Sequence, residues 1–266
     1  MKLFSVIFNN KTYFFDPKKP LNLAIELVAG NENPNCYYAE NPVFETIKAD
    51  NFIGSVAQGG SCNYQKIMLT PHGNGTHTEC YGHISTDENA TVSKCFNENL
   101  FVAQLITLTP KVQENNNFGT DFVVGFEDFL LQIKDKNISE IEAIIIRTLP
   151  NSIEKKIKKY SDTNPPYLDS RICKYLADNN ITHLLLDLPS VDKEVDGGEL
   201  KAHKAFWQIF DNQIDKQHNI RKNAGITEMI FVDNEIKDGL YLLDLQIIRI
   251  NIDAVPSKPI LYELYQ

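Results

Sequence analysis

Two stretches of this 266-residue chain leave little choice of environment. Ala143-Ile144-Ile145-Ile146-Arg147-Thr148-Leu149 and Ile181–Leu188 are near-continuous apolar runs, the first dominated by β-branched isoleucine. Such runs suit strands covered on both faces, because a half-buried strand alternates apolar with polar residues. Between them, Ser170–Asp178 carries Ile172, Tyr175 and Leu176 at helical spacing behind Asp169, a side chain suited to capping a helix start. A helix running into a buried strand is half of a βαβ unit. The expectation is an α/β chain with at least one mixed sheet.

The rest of the chain supplies further strands and few helices. Residues 3–8 and Thr12–Phe15 flank Asn9-Asn10-Lys11 and read as a hairpin. Leu21–Leu27, Cys62–Leu69, Leu100–Leu108, Ile226–Val232 and a long run over Leu240–Asp253 read as strands, with Phe52–Val56 a shorter ordered piece. Phe126–Ile133 and Leu200–Phe210 read as helices. Residues 30–60 and 111–120, rich in Asn and turn formers, read as loop, and Pro256 and Pro259 as part of a short tail. No repeat or long linker divides the chain, so one domain over residues 1–266 is expected.

Composition narrows the function classes. Thirty-five acids against 26 Lys and Arg give a formal charge of -9, which argues against general nucleic-acid binding. No apolar run is long enough to span a membrane, and Met1–Phe8 is too short for a secretory signal. Five scattered cysteines without a C-x-x-C pair suit free thiols in a reducing cytoplasm. These features fit a cytoplasmic protein with neither nucleic acid nor membrane as its partner.

The chemistry concentrates in Pro71-His72-Gly73-Asn74-Gly75-Thr76-His77-Thr78-Glu79-Cys80-Tyr81-Gly82-His83, which holds three of the six histidines. Any one of these alone is more simply a surface histidine of a polar loop. Together with Glu79 they make a donor set for a borderline divalent ion. On an extended segment His77 and Glu79 point the same way, whereas His72 needs a turn and His83 needs the freedom that Gly82 gives. Glu228 interrupts an apolar run, where a carboxylate must be paired, ligating or turned outward. Asp187 and Asp192 end a buried strand, where α/β proteins place function. His203 alone reads as a surface or packed residue, His183 as structural and His218 as solvated. No phosphate loop, nucleophile elbow or dinucleotide fingerprint is present, so the expected nucleophile is metal-bound hydroxide and the expected reaction metal-assisted hydrolysis.

At these residues the sequence resembles the cyclase-like metal-dependent hydrolases, a family that includes bacterial kynurenine formamidase and isatin hydrolase. Gly75-Thr76-His77-Thr78-Glu79 with His83 falls on the family's Gly-Thr-His-x-acid element and the histidine after it, and Asp187-Leu188-Pro189-Ser190-Val191-Asp192 matches its Asp-x-x-Ser-x-Asp. His203 and Glu228 match the later histidine and ligand glutamate. The resemblance implies a swivelling β/β/α fold, one or two divalent ions (Zn2+ before Mn2+) and a homo-oligomer, dimer or tetramer. It implies His77, Glu79 and Glu228 as metal ligands, with His83 and His203 as ligands or proton-transfer groups. The activity implied is hydrolysis of an N-formylkynurenine-like formamide or a cyclic amide. Opening or dehydrating another cyclic substrate, or a non-catalytic metal-containing protein, are the alternatives. Two positions depart from the pattern. Gly73 stands where the first histidine belongs, so His72 is expected to reach the metal through a backbone adjustment, and Glu79 replaces the usual Asp. Residues 204–225 read as an insertion.

Overall fold

The computed structural model describes residues 3–115, 119–210 and 220–266. Its centre is a ring of strands: β1 (His77–Glu79), β2 (Leu100–Leu108), β3 (Ala143–Thr148), β4 (His183–Leu186), β5 (Gly225–Glu228), β6 (Gly239–Ile247) and β7 (Ala254–Glu263). Neighbours follow the order β6-β2-β3-β4-β5-β1-β7, and β7 pairs back onto β6, so the sheet closes. From β2 to β5 the strands are parallel; the other pairings are antiparallel. The result is a mixed barrel with helices against it.

The two apolar runs explain themselves in this setting. Ile144 and Ile146 face outward into a cluster with Phe129 and Ile133 of α1 (Phe126–Ile133), Ile172 and Leu176 of α2 (Ser170–Asp178), and Phe206 and Trp207 of α3 (Lys201–Trp207). Ala143 and Ile145 face the other way, packing inside the ring with Leu105, Leu185 and Leu243. Both faces of β3 are therefore buried, with each fully buried isoleucine worth about 1.5–3 kcal/mol of apolar transfer. Register carries this alternation across the sheet: Leu184 lies beside Ile226 and Leu185 beside Thr227, while Glu228 stands across from His77. His77, Glu79 and Glu228 consequently share the outer, helix-bearing face. Thr78, Thr227 and Ser257 take the opposite face, hydrogen-bonded to one another at 2.7 and 2.8 Å.

Several sequence expectations change. The hairpin at Phe4–Phe8 and Lys11–Phe15 forms, turning through Asn9 and Asn10 at φ 48° and 61°. Residues 111–120 are not loop throughout: Lys111–Asn115 pairs with Gly119–Val124, an exposed strand whose polar side chains hid it. Leu21–Leu27 is strand only over Leu21–Asn22, and Cys62–Leu69 only over Gln65–Met68, an exposed strand paired with Val43–Thr46. The expected strand Ile226–Val232 stops at Glu228 because Met229 turns left-handed at φ 51°. Helix α3 is shorter than Leu200–Phe210. The supposed C-terminal tail is the ten-residue strand β7, with Pro256 and Pro259 inside it. His218 lies outside the described residues.

Candidate metal centre

A 3-10 turn at Pro71–Gly73 and the short strand β1 carry most of the cluster. Thr76 fastens the segment: its hydroxyl donates to the Met229 carbonyl at 2.6 Å and accepts from the Ile25 N–H at 2.9 Å. Gly73 has a packing reason. A Cβ there would lie 2.2 Å from the Ala39 Cβ, so no histidine fits at that position. His72, one residue earlier, turns its ring to the cluster instead, with Nδ1 3.1 Å from Glu79 Oε2 and Nε2 2.9 Å from Asp253 Oδ2. The Cys36 backbone N–H and thiol secure the turn by donating to the Gly73 and His72 carbonyls.

Three more side chains complete the outer face of the barrel. His77 Nδ1 lies 2.9 Å from the Gly75 carbonyl, a contact that needs the proton on Nδ1 and leaves Nε2 bare. That Nε2 is 3.5 Å from Glu228 Oε2, while Glu228 Oε1 accepts from the Val191 N–H at 2.9 Å. His203, on α3, puts Nδ1 2.7 Å from Asp192 Oδ2 and Nε2 3.1 Å from Glu79 Oε1. His83 is the most open of the four histidines, its Nδ1 3.5 Å from Asp253 Oδ2 and 3.9 Å from Glu79 Oε2.

Whether this constellation suits an ion can be judged from its unmet polar atoms. His77 Nε2 is buried without a hydrogen-bond partner, and Glu79 Oε2 is buried with no well-directed hydrogen bond, its close neighbour being His72 Nδ1 at 3.1 Å. Leaving such atoms without a partner costs free energy, and a cation between them would satisfy both. Donor atoms of His72, His77 and Glu79 lie within 4.8 Å of one another, as do those of Glu79, His83 and His203, and of His72, His83 and Asp253. The residues fit one divalent ion. Behind them, His77–Gly75 and His203–Asp192 are contacts of the kind that fix imidazole tautomers at metal sites.

Electrostatics bind the cluster together. Burial raises the Glu79 pKa, but His83 and His203 outweigh it and hold the carboxyl well below its usual range. Burial also opposes the charged form of His203, yet Glu79 and Asp192 hold its pKa well above 6.5. His72 is lifted to about 10, its own desolvation overcome by Asp253 and Glu79. Asp253 is correspondingly held low by hydrogen bonds to His72 and His83.

His72, His77, Glu79, His83, His203 and Glu228, all singled out in the sequence, thus converge. Asp187 does not. Its carboxylate accepts from the Thr148 N–H and hydroxyl and pairs with Lys155 Nζ at 2.8 Å, away from the cluster. Asp192 serves as cap and orienter, accepting from the Ala202 N–H at 2.7 Å and the His203 N–H at 3.1 Å. His183 is structural, packed against Phe101 and Phe96 at the other end of β4. Sequence reading missed Asp253, which precedes β7 and reaches the site because Cys80 N–H bonds its carbonyl. No motif marks it.

The cyclase family profile matches residues 5–193. This chain belongs to the cyclase family. A curated relative, kynurenine formamidase of Bacillus cytotoxicus, is 26% identical over 208 residues, spanning 78% of this chain and 83% of the relative. Among solved structures, isatin hydrolase A from Labrenzia aggregata superposes with a TM-score of 0.64 at 13% identity, covering 92% of this chain and 93% of its own. The structure described as a predicted metal-dependent hydrolase from Bacillus stearothermophilus does so with a TM-score of 0.60 at 16% identity, covering 92% and 98%. These similarities establish the cyclase-like β/β/α fold. Family membership and the donor cluster together support metal-using enzymatic chemistry on a small substrate. No helix among the described residues is long and apolar enough to cross a membrane.

Proposed function

We propose that this cyclase-family chain hydrolyses the carbon–nitrogen bond of a small aryl formamide of the N-formylkynurenine type, or of a cyclic amide, with a divalent ion, zinc ahead of manganese. The observation that carries the reading is the buried pair His77 Nε2 and Glu79 Oε2, with donor atoms of His72, His83 and His203 within 4.8 Å of the Glu79 carboxylate and Glu228 Oε2 3.5 Å from His77 Nε2. The substrate class is supported by the name of a relative, a kynurenine formamidase, beside the fold shared with an isatin hydrolase.

In this reading His72, His77, Glu79 and Glu228 hold the ion. When bound, such an ion supplies Lewis acidity toward a carbonyl oxygen and lowers the pKa of its water towards neutrality. The chain does the rest. Gly75 keeps the proton on His77 Nδ1 so that Nε2 stays a donor pair, and Val191 N–H fixes Glu228. An arylamine anion is a poor leaving group, so a proton must reach the nitrogen as the bond breaks. His203 is placed to deliver it from Nε2, because Asp192 holds its Nδ1 and the surrounding carboxylates favour the protonated ring. His83, more open to solvent, can return that proton from water.

The test combines elemental analysis of protein purified without added metal with an N-formylkynurenine and isatin hydrolysis assay before and after chelation. About one ion per chain and hydrolysis abolished by chelator, then restored by zinc or manganese, is the expected result. Hydrolysis indifferent to chelation, or none on formamides and cyclic amides with the ion present, would overturn the reading.

A further inference from the structure

We propose that Tyr37 and Leu200 form the aryl-binding wall of the cavity over the donor cluster and thereby select the substrate; the inference rests on the aryl-amide reading above. The cavity measures about 270 Å3 and opens onto His72, His83, His203 and Glu228. Every other side chain lining it is an imidazole, a carboxylate, a lysine or a serine. Among the described residues that line it, Tyr37 and Leu200 are therefore the ones offering an aromatic ring and an aliphatic side chain to an aromatic ring that enters. Tyr37 is 45% exposed as a residue, while its phenol end reaches inward towards Ser190 and Glu228.

Backbone strain coincides with these two positions. Tyr37 and its neighbour Tyr38 sit at φ 52° and 54°, and Leu200 at φ 46°. Bulky residues adopt the left-handed region rarely, and they persist there when the surroundings over-determine them. Those surroundings are visible. Tyr38 N–H donates to Ser161 Oγ at 2.9 Å and its phenol to Asp162 at 2.6 Å, while the Asn35 N–H bonds the Lys158 carbonyl at 3.0 Å. Leu200 N–H donates to Asp196 Oδ2 at 2.7 Å. Glycine would serve either turn better, so retaining Tyr and Leu there places two apolar side chains in an otherwise charged cavity.

The experiment reads binding before turnover. Zinc-loaded protein is mixed in a stopped-flow instrument with formanilide or with N-cyclohexylformamide, which keeps the formamide and loses the flat ring; the fast fluorescence phase gives the affinity and hydrolysis is followed afterwards. Wild type should prefer formanilide by roughly tenfold or more, as ring-on-ring contact and burial predict. Tyr37→Gly and Leu200→Gly suit the left-handed backbone, so they remove the side chain without adding strain. Each should weaken formanilide by about tenfold, leave the cyclohexyl compound within about twofold, and retain zinc. Tyr37→Phe should keep the aryl preference. Equal affinity of wild type for the two compounds, unchanged formanilide binding in both glycine variants, or loss of zinc from them would overturn the proposal. Selective binding without hydrolysis would sink the amidase reading and leave the wall standing.

Discussion

Asp192 grips His203 twice, accepting from its backbone N–H at 3.1 Å and contacting its ring Nδ1 at 2.7 Å. One carboxylate thus starts helix α3 and sets which imidazole nitrogen faces Glu79. In Asp192→Asn the amide oxygen can still accept from the backbone, but the ring loses its anionic partner. Turnover should fall by roughly 10- to 100-fold, the usual cost of losing a second contact of this kind, with melting temperature little changed. Steady-state kinetics beside a thermal melt separates the two, and unaltered kcat would remove Asp192 from the mechanism.

Glu79 and Gly73 are two parts of one local solution. Ala39 fills the space beside Gly73, residue 72 carries the histidine that faces the cluster, and the Glu79 carboxylate reaches both His72 and His203, each at 3.1 Å. Glu79→Asp retracts those oxygens by about one bond length. Metal affinity should drop by about tenfold or more while the fold persists, measured by competition with a chromogenic chelator. Affinity equal to wild type would show that the extra methylene has no part in the site.

How far the sequence disclosed this arrangement depends on what kind of signal each part carries. Ile144, Ile145 and Ile146 announced a doubly covered strand because both of their environments are apolar. The Gly75-Thr76-His77 segment was legible because several donor-type residues crowd a short span. Strand β7 was not, since Pro256 and Pro259 are residues that ordinarily argue against a paired strand. Without β7 neither barrel closure nor Asp253 could be placed. The exposed strand at Lys111–Asn115 was missed because it has no buried face to impose alternation.

Lys155 neutralises a fully buried acid. Asp187 is 1% exposed, pairs with Lys155 Nζ at 2.8 Å and accepts from Thr148. Burial raises the Asp187 pKa and the lysine works against that shift. Lys155→Met leaves a desolvated carboxylate at the end of β4, a loss of about 3–5 kcal/mol for one partner of a buried pair. Adding Asp187→Asn should recover much of it. Urea denaturation of the two variants checks this, and a single variant as stable as wild type would show the pair to be dispensable.

The metal-free protein should lose stability as pH rises from neutrality towards 10. His72 carries a folded-state pKa of about 10 because Asp253 and Glu79 outweigh its own desolvation. The ordinary histidine value is about 6.5, so folding raises the affinity for this proton. The contribution is therefore complete below about pH 6.5 and disappears as pH climbs through about 10. A bound ion reverses the preference, because a ligating imidazole must give up that proton. Chelated protein should melt progressively lower between pH 7 and pH 10, and His72→Gln should flatten the decline. Zinc-loaded protein should show no such fall, and zinc uptake at pH 7.5 should release protons in calorimetry across buffers of different ionisation enthalpy. Metal-free melts that are level or rising over that range, with no proton release on loading, would mean that His72 is unprotonated before the ion arrives.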